Sequence, residues 1–74
     1  MIVSGFLLLG EDCDVNKIRK ELESNGVEIH YVKDNKMIFL IEGSLKEVKK
    51  KLKWMKDLDG VVNVYLAYYS LEDL

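Results

Sequence analysis

Two runs of β-forming residues separated by Asp34 and Asn35 constrain this chain more than any other stretch. Val27, Ile29 and Tyr31 precede the pair, and Ile38, Phe39, Leu40 and Ile41 follow it. Such side chains suit the pleated, half-buried surface of a sheet, and Asp-Asn tolerates the left-handed backbone of a tight turn. A β-hairpin from Val27 to Glu42 follows. With a two-residue loop, Lys33 opposes Lys36, Val32 opposes Met37 and Tyr31 opposes Ile38. Continued along the strands, the same register sets His30 against Phe39, Ile29 against Leu40 and Glu28 against Ile41. Opposed residues share a face of the sheet. One face then carries Ile29, Tyr31, Ile38 and Leu40, and we assign it to the core. The other carries Glu28, His30, Val32, Met37, Phe39 and Ile41. A half-buried strand is normally polar on its second face, so three large apolar side chains there require a partner.

The flanking segments place this hairpin in a larger pattern. Ile2 to Leu9 is an apolar run ended by Gly10, too short for a helix and therefore a buried central strand, with either parity open to face the core. Gly5 within it marks a close approach by another backbone or merely relieves crowding. Asp14 caps a helix predicted over Val15 to Asn25, with Val15, Ile18 and Leu22 on one stripe and Gly26 as its stop. Cys13 and Ile18 have the spacing of a hydrophobic staple, which makes Cys13 a packed residue rather than a reactive one. Ser44 to Glu47 reads as a capping box, and Leu45, Val48, Leu52 and Met55 define a second amphipathic helix to Lys56. Trp54 lies off the centre of that stripe and is expected to pack at the edge of the core. Asp59 and Gly60 turn the chain into a last strand, Val61 to Tyr69, before an acidic tail from Leu71 to Leu74. The order strand, helix, strand, strand, helix, strand is that of an α+β ferredoxin-like sandwich with a four-stranded antiparallel sheet. Right-handed crossovers put the first and third strands in the middle and both helices on one face, leaving the other open.

Size limits what such a domain does. A 74-residue chain is expected to be a single domain that buries only about 60% of its unfolded surface, with no room for a deep catalytic cleft. Its charge is unevenly spread. The two predicted helices hold nine of the eleven basic residues against three acids, and the rest of the chain holds ten acids against Lys33 and Lys36. A strand side of acidic potential favours a basic partner. Acids also gather at caps and turns in any protein, and a lysine-rich helix face is often simply solvated. One cysteine forms no internal disulfide, and Met1 to Leu9 lacks the basic region of a secretion signal and the length of a membrane span. The expected compartment is a reducing cytoplasm.

Residues with chemistry to offer are few. His30 and Cys13 are single residues of their kinds, whereas a metal site needs three or four converging ligands. There is no Cys-x-x-Cys pair, no glycine-rich phosphate loop, and no serine or cysteine with an assignable base. The acidic strand side lacks the basic aromatic signature of an RNA-binding sheet. We therefore expect no enzyme activity, metal, cofactor or nucleic-acid partner.

Two stretches resemble the NapD family. Val15 to Ile29 has the spacing of Ile18, Leu22, Gly26 and Val27, and Leu58 to Glu72 reads Leu-Asp-Gly-Val-Val-x-Val-x-Leu-x-Tyr-Tyr. The resemblance spans nearly the whole chain. It implies a cytoplasmic chaperone that binds the twin-arginine signal peptide of the nitrate reductase catalytic subunit, NapA, on its sheet. Binding restrains export until the molybdenum cofactor is inserted. No catalytic motif is carried over. The hairpin register sets the expected contacts: Val32, Met37, Phe39 and Ile41 for the apolar stripe of a peptide helix, Tyr65 and Ala67 extending the groove, and Glu28, with His30 beside it on that face, to accept an arginine. The expected state is a monomer or weak dimer without membrane insertion. The alternative is an ACT-like sensing or oligomerisation module that pairs its sheet with another copy. Such modules place proline and glycine in the loop before the first helix, and the loop here, Gly10 to Asp14, has no proline.

Overall fold

The computed structural model describes residues 1–70, so the predicted acidic tail from Leu71 to Leu74 lies outside the described residues. The elements are β1 (Ile2–Leu9), α1 (Val15–Ser24), β2 (Glu28–Lys33), β3 (Lys36–Glu42), α2 (Leu45–Asp57) and β4 (Val61–Ser70). The sheet is antiparallel with strand order β2-β3-β1-β4, which is the ferredoxin-like topology. Both helices cover one face, α1 against β2 and α2 against β4.

The helices begin and end where local chemistry dictates. The Asp14 carboxylate accepts from the Lys17 N–H at 3.2 Å, and Ser44 with Glu47 closes a complete capping box on α2. At the end of α1, the Gly26 N–H donates to the Glu23 carbonyl (3.2 Å) and the Val27 N–H to the Leu22 carbonyl (3.1 Å). This six-to-one closure needs the left-handed backbone that Gly26 adopts at φ +83°. The last turn of α1 has no base of its own. Lys51 of α2 supplies one, bringing its ammonium over Gly26 where cations stabilise the C-terminal carbonyls of a helix.

The hairpin turns at Asp34 (φ +55°) and Asn35, and Lys33 opposes Lys36 as the two-residue loop requires. Asn35 also fastens the turn to β1. Its Nδ2 donates to the Leu9 carbonyl at 3.0 Å, and its own carbonyl accepts from the Leu9 N–H at 2.7 Å. Past Tyr31 the predicted register fails, because a bulge at His30 shifts the pairing by one residue. Ile29 opposes Phe39, and Glu28 opposes Leu40 rather than Ile41. Bulges of this kind bend and twist an edge strand, and β2 is an edge.

The larger correction concerns which face is buried. Met37, Phe39 and Ile41 are 0% exposed and form the core with Val3, Leu7, Leu9, Ile18, Leu22, Val27, Val48 and Met55. Val15, Ile29, Leu52, Trp54 and Val64 pack against that core half-buried, as does Cys13 beside Ile18. Ile38, expected in the core, is instead 44% exposed, and Leu40 is half-buried on the open side. The cause is electrostatic. Lys36 and Glu42 share parity with Ile38 and Leu40, so burying that face would strip water from two charges, while the Met37, Phe39, Ile41 face carries none.

Gly5 is a true close approach. A Cβ there would land on the Tyr65 carbonyl oxygen. The β1–β4 register shifts beside it, leaving Ala67 as the extra residue of one bulge and Val62 as that of another.

Candidate functional site

The cross-strand register arranges the open face into rows that run across the sheet. Lys33, Lys36, Leu8 and Asn63 form the first row, on β2, β3, β1 and β4 in turn. Tyr31, Ile38, Phe6 and Tyr65 form the second, and Glu28, Leu40, Ser4 and Tyr68 the third. Glu42 and Ile2 begin a fourth. Successive rows are about 7 Å apart and the outer strands about 14 Å.

The second row is the apolar centre of this surface. Phe6 and Tyr65 stack with ring centroids 4.9 Å apart and planes at 24°, a geometry that adds to simple area burial. The Lys36 ammonium lies 5.5 Å from the Phe6 centroid, on the same floor. Tyr31, Ile38 and Tyr65 are all largely exposed, although contiguous apolar surface normally seeks cover.

Of the residues expected to line the site, Glu28 and Tyr65 do lie on the open face. His30 sits exposed in the β2 bulge, with Nε2 3.0 Å from Glu28 Oε2; a carboxylate only accepts, so Nε2–H donates. Ala67 is exposed at the β4 bulge and takes no place in a row. Val32 turns inward and packs half-buried against the core, while Met37, Phe39 and Ile41 have no contact with solvent. These four cannot touch a partner on the open face. Their places on that face are taken by Ile38, Leu40 and Tyr31, which inverted parity had hidden, and by Phe6 of β1, whose parity the sequence left open. The signal was present in the sequence: a strand with charged residues at both ends turns outward the parity those charges share, here that of Lys36 and Glu42.

The face is also not uniformly acidic, as the charge count had suggested. It is polarised, with Lys33 and Lys36 at one end and Glu28 and Glu42 at the other. Among the described residues no group of three or more His, Cys, Asp or Glu side chains could hold a metal ion, and no helix is long and apolar enough to cross a membrane.

The family model of the NapD protein matches this sequence over residues 1–73. The chain belongs to the NapD family. NapD proteins are chaperones of nitrate reductase maturation and not an enzyme family. In structure, this NapD-family chain is similar to the structured domain of Boca from Drosophila melanogaster. The TM-score is 0.65, covering 95% of this chain and 100% of that one at 11% identity, a likeness of fold alone. A comparison with the curated proteins finds no match.

Proposed function

We propose that this chain is a cytoplasmic maturation chaperone that holds the twin-arginine signal peptide of a NapA-like reductase precursor on its open sheet face, delaying export until the cofactor is inserted. The reading is supported by family membership and, above all, by the row Tyr31, Ile38, Phe6 and Tyr65, an apolar strip facing solvent. An amphipathic helix lying along the strands crosses this row and sets its apolar stripe against Phe6, Ile38 and Leu40 while the charged rim stays wet. The surface suits a helix of about 12 to 14 residues, roughly 20 Å at 1.5 Å per residue. The protein acts as a monomer or weak dimer; a tight dimer at low micromolar concentration by sedimentation would favour a self-pairing, ACT-like module instead.

Burying the Phe6 ring against the peptide is worth about 1.5 to 3 kcal/mol, so Phe6→Ala should weaken binding roughly 10- to 100-fold. Calorimetric titration with a synthetic twin-arginine peptide tests this. Wild-type affinity in Phe6→Ala, or a bound peptide that remains unstructured by NMR, would refute the placement.

A further inference from the structure

The open face has a direction, and we infer that it accepts its peptide helix in one orientation, basic N-terminal end at Glu28 and Glu42 and C-terminal end at Lys33 and Lys36. This rests on the proposed binding of a signal-peptide helix to that face and adds its polarity.

Three observations carry the inference. Lys33 and Lys36 are direct cross-strand partners on the open side. Like charges so placed repel, and among the described residues neither lies within ion-pair distance of a carboxylate. At the opposite end Glu42 also has no ion-pair partner among the described residues, and Glu28 meets only the exposed His30. The two ends are far enough apart to be read separately. Lys36 and Glu42 are six residues apart on β3, which is about 20 Å along an extended strand, the length of a helix of about 13 residues.

A helix is itself polar, with partial positive charge at its N-terminus and partial negative charge at its C-terminus. Arginines in the first turn reinforce the positive end. With that end over Glu28 and Glu42, the arginines gain carboxylates, and the C-terminal carbonyls relieve the Lys33–Lys36 repulsion. The bound helix therefore runs parallel to β1. Reversed, it sets arginines against two lysines and leaves two carboxylates facing helix carbonyls. Both mismatches lie on an otherwise apolar floor that contributes the same in either direction, so the rim charges decide between the two.

The test uses the full chain and two synthetic helical peptides of identical composition, one with paired arginines at its N-terminal end and one with them at its C-terminal end. The second keeps its arginines over the two glutamates only by lying reversed, against its own dipole, so the first should bind about 3- to 30-fold more tightly at low salt, the range for a matched charge at each helix end, and the difference should shrink as salt is added. A nitroxide on the N-terminal end of the first peptide should broaden the amides of Ile2 and Glu42, and one on its C-terminal end those of Leu8 and Lys36. Equal affinities, or the reversed broadening pattern, would overturn the orientation while leaving sheet-face binding intact. Broadening confined to α1 and α2, or no binding by either peptide, would overturn the proposed site and the orientation with it.

Discussion

The two phenylalanines of this chain lie on opposite faces of the sheet, and removing each should separate stability from binding. Phe39 is 0% exposed, and its cross-strand neighbour on β1 is Gly5, which has no side chain to lean into the space a truncation leaves. Phe39→Ala therefore loses the transfer energy of the ring and leaves most of the cavity open, at a cost of about 3 to 5 kcal/mol. A domain of this length has roughly 4 to 11 kcal/mol of total stability, so the loss takes up a quarter or more of it. Phe6 is half-buried and its main partner is the Tyr65 ring. Phe6→Ala should cost about 1 to 3 kcal/mol, half the burial of a ring plus its aromatic pair. Urea denaturation followed by Trp54 fluorescence resolves the two. With a slope near 1 kcal/mol per molar for so small a domain, the midpoint should fall by about 3 to 5 M for Phe39→Ala and by about 1 to 3 M for Phe6→Ala. Similar midpoint shifts in the two variants, or a Phe39→Ala midpoint within 1 M of wild type, would show that the buried face is wrongly assigned.

Gly5→Ala should destabilise the fold by about 1 to 3 kcal/mol, because a Cβ there meets the Tyr65 backbone and not a flexible side chain; faster amide exchange in β4 than in β2 would locate the damage, and an unchanged melting temperature would contradict the close approach. The Glu47 carboxyl is held below the ordinary glutamate range, first by the Ser44 hydroxyl, then by the Ser44 N–H, with Lys51 adding a smaller attraction. A lowered value in the folded state means that the contribution of this group is complete above the unfolded glutamate value and lost as pH falls through the lowered one. The stability gap between wild type and Glu47→Ala should thus be constant near neutral pH and narrow in acid, and a gap that urea midpoints find independent of pH would count against the capping-box charge.

Much of this architecture was legible in local sequence. Asp14, Gly26 and the Ser44–Glu47 box mark helix ends because each answers a local need of unpaired backbone groups. Asp34 and Asn35 set the first three hairpin pairs for the same reason. The face of the sheet was not legible from apolar pattern alone, since β3 is apolar at both parities, Met37, Phe39 and Ile41 on one and Ile38 and Leu40 on the other. Only the charged ends of that strand break the tie.

What the sequence by itself determined is the element order, the caps and the turn, all governed by interactions within a few residues. Tertiary structure decided the rest. The bulge at His30 moved Glu28 from Ile41 to Leu40, and the helices, settling on the uncharged side of β3, left Phe6, Tyr31, Ile38 and Tyr65 to solvent. Those outcomes depend on pairing residues distant in the chain, Phe6 with Ile38 and Tyr65, Gly5 with Phe39. A period of two tells which residues share a face, and the helices pack on whichever face of β3 leaves its terminal charges in water.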